Sequence, residues 1–246
     1  MIIDAHVHIK TDEVGFDRSE VKTVVRKMDE NGIDKVVCFT LASGLEKQKK
    51  LSEIIKPYSD RFIPIAFINP NDADAKVQLL YCLDELKFNG IKLHPWFSNF
   101  SVANIELLRP LFELLNDRGL YAVIHCTSED YRVHPVMFER LGNEFPNVTI
   151  QMAHMGEVMA GEYAIDVAKR VPNVYLDTSI TSLMAVMHVL EQCPDKVFMG
   201  CDYPFYEFEM EIMKQKLAAK EVNKTEEMKM IMGGNFQRVF RLKDDK

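Results

Sequence analysis

Apolar, β-branched runs recur along the chain, with roughly 23 to 33 residues from the start of one to the start of the next. They are IIDAHVHI (2–9), KVVCFT (35–40), FIPIAFI (62–68), GIKLH (90–94), YAVIHC (121–126), VTIQMAH (148–154), VYLDTS (174–179) and VFMGCD (197–202). Runs of this length and composition predict buried strands. The intervals between them read as amphipathic helices, one with Val21, Val24, Val25 and Met28 at helical spacing, another with Leu107, Leu108, Leu111, Leu114 and Leu115. Gly32, Gly90 and Gly119 each stand just before an apolar residue that opens the next strand region, where a left-handed helix C-cap is expected. Alternating strand and helix predicts a parallel α/β sheet, and eight such units in 246 residues predict a single (β/α)8 barrel. An open doubly wound sheet is disfavoured, because no strand is followed by G-x-G-x-x-G or a Walker loop. No linker-like stretch interrupts the pattern, so residues 1–246 are expected to form one domain. The stretch GGNFQRVFRL (233–242) reads as a closing helix before a charged, frayed end.

Composition narrows the function classes. The chain is 47% hydrophobic, enough to build a full core, and its net charge is −7. That sign disfavours non-specific binding to nucleic acid or to an anionic membrane. The cysteines Cys38, Cys82, Cys126, Cys193 and Cys201 are odd in number and form no C-x-x-C pair, which points away from a disulfide framework and towards a reducing compartment. No signal-peptide pattern or membrane-length apolar run is present, so a cytoplasmic protein is expected.

The histidines change the picture most. Five of the seven, His6, His8, His94, His125 and His154, fall at the ends of predicted strands, as does Asp202. Strand ends make up roughly a tenth of such a barrel and carry its active site. His6 and His8, two residues apart on a strand, share a face. With His125 and Asp202 at equivalent heights they offer three or four nitrogen and oxygen ligands, the pattern of a catalytic metal site with an open position. His154 is a further ligand or an imidazole that polarises the substrate. Lys92 and His94 share a face and read as anchors for a substrate carboxylate, with a carboxylated Lys92 bridging two metals as another reading. Trp96 and Arg132, after the fourth and fifth strands, are candidates for the substrate pocket, with His134 beside them. Asp4 reads as a supporting hydrogen-bond acceptor, Asp177 as either a support for the site or a helix N-cap, and His188 as structural.

The ordered set D-x-H-x-H, GIKLHP, a strand-five histidine, AHMG, GCDYPF and GGNFQRVF resembles the amidohydrolase superfamily over essentially the whole chain. The resemblance is closest to the amidohydrolase-related, metal-dependent barrel hydrolases, the branch that also contains aromatic and aminocarboxymuconate semialdehyde decarboxylases. It implies one divalent metal, zinc or manganese, held by His6, His8, His125 and Asp202, with His154 assisting catalysis or touching substrate. Relatives suggest a homodimer.

The expected activity is metal-assisted hydrolysis of a small ester, lactone or amide bearing a carboxylate. Asp202 would serve as ligand and general base, and His154 would stabilise the developing oxyanion. The chain is short for the decarboxylase group, which favours hydrolysis. The alternatives are decarboxylation of an aromatic or unsaturated acid by the same ligands, and a non-catalytic metal-binding barrel.

Overall fold

The computed structural model describes residues 1–12, 16–127 and 130–242, without the side chains of residues 157–160. In chain order the elements are β1 (Ile3–Ile9), α1 (Val21–Asn31), β2 (Lys35–Thr40), α2 (Leu45–Ile55), β3 (Phe62–Pro64), β4 (Ala66–Phe67), α3 (Ala75–Asp84) and β5 (Gly90–Leu93). They continue with α4 (Ile105–Arg118), β6 (Tyr121–Ile124), α5 (Phe138–Glu144), β7 (Thr149–Met152), α6 (Glu157–Arg170), β8 (Val174–Asp177), α7 (Leu183–Gln192), β9 (Val197–Phe198), α8 (Phe208–Val222), α9 (Thr225–Lys229) and α10 (Asn235–Phe240).

Every strand pair is parallel, in the orders β1-β2-β3 and β4-β5-β6-β7-β8-β9. β3 and β4 are two halves of one predicted strand, FIPIAFI. They part at Ile65, whose N–H still reaches the Cys38 carbonyl at 3.0 Å. The other seam closes through Ala5 N–H to Met199 O (2.8 Å), Asp202 N–H to His6 O (2.9 Å) and His8 N–H to Tyr203 O (2.7 Å). The result is the expected (β/α)8 barrel. Its strands read as unbroken apolar runs because helices cover one face and the barrel interior the other; β1 is buried at all seven positions.

The helices follow their sequence stripes. α1 buries Val21, Val24 and Met28, and burying side chains of this kind stabilises the fold by about 1.5–3 kcal/mol each. It ends at Gly32 in the left-handed region (φ 66°), and α4 ends at Gly119 in the same way (φ 62°). Gly90 is different. It opens β5 instead of capping α3, and a Cβ there would stand 2.0 Å from the Tyr121 carbonyl oxygen. Its side chain is absent because β6 passes too close.

Residues 233–242 contain the expected closing helix. α10 sends Phe236 and Phe240 against Tyr121, at ring distances of 5.8 and 4.8 Å, plugging the barrel interior opposite the site. The charged end lies outside the described residues. Cys38, Cys82, Cys126, Cys193 and Cys201 are all buried and none is in a disulfide. Among the described residues no helix is long and apolar enough to cross a membrane.

Candidate active site

The strand ends deliver His6, His8, Lys92, His94, His125, His154 and Asp202 to one cavity of about 590 Å³. Its upper walls are apolar: Leu41, Phe97, Ile180, Phe205 and Tyr206. Several backbones there are held in the left-handed region without glycine: His154 (φ 62°), Met155 (φ 45°), Ile180 (φ 62°) and Asp202 (φ 65°). Such conformations cost about 1–3 kcal/mol each and persist only where the surroundings enforce them.

His6, His8 and Asp202 form the tightest group. Asp202 Oδ1 lies 3.2 Å from His6 Nε2 and 3.1 Å from His8 Nε2. The opposite ring nitrogens are committed elsewhere: His6 Nδ1 lies 2.9 Å from Asp177 Oδ2 and His8 Nδ1 lies 3.4 Å from the Thr40 carbonyl oxygen. Both partners can only accept, so both Nδ1 atoms donate. Without a metal, and against burial, Asp202 and Asp177 shift His6 towards its protonated form; when the rings are neutral both Nε2 atoms carry lone pairs. Asp202 Oδ1 is itself buried and accepts no hydrogen bond among the described residues. Three lone-pair atoms thus face one another within 4.8 Å, an arrangement that a divalent cation satisfies. The donor set fits a metal.

Lys92 completes the floor. It is buried, with Nζ 3.3 Å from His6 Nε2 and 4.7 Å from the centre of the Phe39 ring. Burial pushes its ammonium down to about 8, while Asp202 and Asp177 pull it back up. Burial alone would raise the Asp202 carboxyl, but His6 and His8 outweigh it and hold the group well below the usual carboxylate range. His154 is pushed down to about 4 by burial, with His6 adding to the effect. Burial also lowers His94 and His125, which stack on one another with ring centres 4.0 Å apart.

His125 enters the cavity beside this group rather than within it. Its Nδ1 lies 3.1 Å from His154 Nε2, and it belongs to neither of the close ligand clusters, His6–His8–Asp202 and His6–His154–Asp177. Lys92 and His94 share the cavity. Trp96 and Arg132 do not line it. Trp96 is 61% exposed and lies flat on Phe97, which lines the cavity in its place, 4.1 Å from the His94 ring. The Arg132 guanidinium is neutralised two residues away, by Asp130 Oδ2 at 2.7 Å, and also reaches Asn99. His134 caps a short helical turn, accepting from Val136 N–H. His188 pairs with Glu162 on the outside.

Asp177 carries more than sequence reasoning assigned to it. α7 is capped by Ser182, which accepts from Ala185 N–H, so the N-cap reading of Asp177 fails. Asp177 is fully buried and accepts from His6 Nδ1, Gln151 Nε2 (2.5 Å), His154 N–H (2.9 Å), Ser179 N–H (3.0 Å) and the Ser179 hydroxyl. Burial opposes its charge, yet His6 and these donors hold the carboxyl well below its ordinary range. Asp4 does support the site, accepting from the N–H groups of His6 (2.9 Å) and Cys201 (3.2 Å). Gln151 and Ser179 were not singled out from the sequence. The signal for Gln151 was present: a polar residue in the interior of VTIQMAH needs a buried partner.

The family profile described as amidohydrolase matches residues 3–242. No curated protein sequence matches the chain. Solved structures share its fold. One is 2,6-dihydroxybenzoate decarboxylase from Rhizobium, 17% identical over 98% of each chain with a TM-score of 0.74. Another is a dihydroxybenzoic acid decarboxylase from Polaromonas with bound manganese and the inhibitor 2-nitroresorcinol, 18% identical over 98% of this chain and 97% of that one, TM-score 0.71. A third is 4-oxalomesaconate hydratase from Rhodopseudomonas palustris, 18% identical over 98% of this chain and 96% of that one, TM-score 0.67. The profile spans nearly the whole chain and the barrel is the same, and the chain belongs to the amidohydrolase family.

Proposed function

We propose that this protein is a metal-dependent enzyme that releases carbon dioxide from a small planar carboxylic acid, aromatic or conjugated. The observation that carries the reading is the pairing of a buried Lys92 ammonium with the His6–His8–Asp202 cluster, at the floor of a cavity whose walls are aromatic and aliphatic. The family is enzymatic and depends on a divalent metal. His6, His8 and Asp202 would hold the ion, zinc or manganese, with His125 as the fourth ligand. When bound, the ion supplies positive charge for the oxygens of the substrate.

The chain's own residues do the rest. Lys92 and His94 engage the ionised carboxylate, and Phe97, Phe205 and Tyr206 offer faces to a flat ring while keeping water away. Loss of carbon dioxide leaves the bonding electron pair on the substrate carbon, which must then take up a proton. That proton comes from solvent: Asp202, a carboxylate lining the cavity and ionised at rest, would take it up and pass it to the carbon. Two neighbours that process dihydroxybenzoates match over 97–98% of their own lengths, so the shortness of this chain no longer argues against the reaction.

Hydrolysis is the second reading. It is supported by the same Asp202, whose carboxyl is held ionised and could accept a proton from water. One screen separates the two: metal-loaded protein with hydroxybenzoates and unsaturated diacids, followed by carbon dioxide release, beside a set of esters, lactones and amides. Metal-dependent carbon dioxide release supports the proposal. Turnover confined to the esters, lactones or amides overturns it in favour of hydrolysis, and stoichiometric metal binding without turnover in either set favours a binding protein.

A further inference from the structure

The hydrogen bonds beneath the metal cluster fix where the protons sit. Every described atom bonded to the Asp177 carboxylate is a donor: two backbone N–H groups, the Gln151 amide, His6 Nδ1 and the Ser179 hydroxyl. The Gln151 amide cannot be reversed, because its Nε2 also donates to the Ala5 carbonyl at 3.2 Å. Asp177 therefore has no acceptor for a proton of its own except the Ser179 oxygen, and Ser179 has only one hydrogen to give. If Ser179 donates to Asp177, its oxygen must accept from His154 Nδ1, 2.8 Å away. His154, neutral with Nδ1 protonated, then presents a lone pair at Nε2. The atom facing that lone pair at 3.1 Å is His125 Nδ1, which must donate. His125 Nε2 is left with a free lone pair.

We propose that Asp177 and Ser179 are positioning residues that set the tautomer of His154 and, through it, of His125, so that one buried carboxylate outside the metal cluster leaves His125 Nε2 ready to ligate. The segment that carries Ser179 is itself braced. The Thr178 hydroxyl donates to Glu211 Oε1 at 2.7 Å, and Lys214 Nζ holds the Thr178 carbonyl at 2.7 Å. A serine in this place does what a carboxylate beside His154 could not. It passes on the donor and acceptor order without bringing a second negative charge to the imidazole.

The tautomer part is independent of the reaction, whereas its consequence for affinity rests on reading His125 as a metal ligand. The test uses the full-length protein with nitrogen-labelled histidines. Long-range proton–nitrogen spectra are recorded after chelation and again after zinc loading, and are assigned with His125→Gln and His154→Gln. The expected pattern is His154 protonated at Nδ1 only in both states, and His125 protonated at Nδ1 only in the chelated state. A proton on His154 Nε2, or on His125 Nε2 in the chelated state, overturns the relay. Ser179→Ala is expected to mix the tautomers of both rings and to weaken zinc binding about 10-fold in a competition titration with a chromophoric chelator, in line with the loss of a ligand's supporting partner. Unchanged tautomers in Ser179→Ala overturn the relay. Mixed tautomers with unchanged zinc affinity support the relay and remove His125 from the ligand set.

Discussion

Gly90→Ala and Gly119→Ala look alike in sequence, since both glycines stand where a helix gives way to a strand, but the structure predicts very different costs. At Gly119 the backbone is left-handed (φ 62°) and the nearest atom to an added Cβ, Asn147 O, is 4.0 Å away. Only the conformational penalty of a β-carbon in that region applies, about 1 kcal/mol. At Gly90 the added Cβ would stand 2.0 Å from Tyr121 O and 2.7 Å from Tyr121 C, both backbone atoms of the neighbouring strand. A tolerable contact requires β5 and β6 to separate by about 1 Å, yet β6 is paired with β7 on its other side and Tyr121 is packed inside the barrel. Weakened ladder hydrogen bonds at about 1 kcal/mol each, added to overpacking at about 1–3 kcal/mol, give a cost of about 3–5 kcal/mol. For a chain of this size each kcal/mol moves the midpoint by about 2–4 °C, so Gly90→Ala should fall by about 6–20 °C and Gly119→Ala by about 2–4 °C. Thermal unfolding of both variants, followed by far-ultraviolet circular dichroism at one scan rate, measures the contrast. Because Lys92 is two residues along β5, the folded Gly90→Ala protein should also lose activity by about 10²-fold, the usual penalty of a 1 Å misplacement. If Gly90→Ala melts within 2 °C of Gly119→Ala, the close-approach argument is wrong and Gly90 is only another permissive position.

Metal removal and two substitutions test the site. Zinc or manganese at about 100 times its dissociation constant should stabilise the chelated protein by about 2.7 kcal/mol, raising the midpoint by about 5–11 °C in a melting assay; no shift would speak against the His6–His8–Asp202 cluster as a metal site. Lys92→Met keeps the buried stem over Phe39 but removes the charge. It should lower kcat/KM by about 10- to 150-fold, the worth of a charged hydrogen bond, with metal content by elemental analysis unchanged. Trp96→Ala, at an exposed position outside the cavity, should change kcat/KM by less than about twofold and the melting point by less than about 2 °C.

The barrel was legible because its strands are buried on both faces. VTIQMAH and YAVIHC announce themselves without any alternation to decode, and the left-handed caps at Gly32 and Gly119 mark where α1 and α4 stop. Gly90 shows where that reading failed. A glycine forced by φ and a glycine forced by a neighbouring backbone carry the same letter, and only the β5–β6 approach tells them apart. The break of FIPIAFI at Ile65 was equally hidden, since both halves keep the composition of a strand.

In the site, the residues legible in sequence were those that occupy strand ends. The alternation of β1 puts His6 and His8 on one side, and the barrel brings Lys92, His94, His125, His154 and Asp202 to the same mouth. Residues from the loops were less legible, for a physical reason. The pull of Trp96 and Arg132 towards the pocket came from their chemistry alone, whereas their positions depend on local partners such as Phe97 and Asp130. Asp177 is the instructive case. An acid followed by Thr178 and Ser179 ahead of a helix has the grammar of a cap, and the sequence offers no way to see that Ser182 takes that job. What separates the two roles is burial: a cap keeps one side to solvent, while a fully buried carboxylate must satisfy every lone pair from within the protein. Asp177 meets that demand with donors from β1, β7 and the two turns beside it, and those donors belong to His6, Gln151, His154 and Ser179. The requirement that stabilises one buried charge is therefore also what orders the histidines around it.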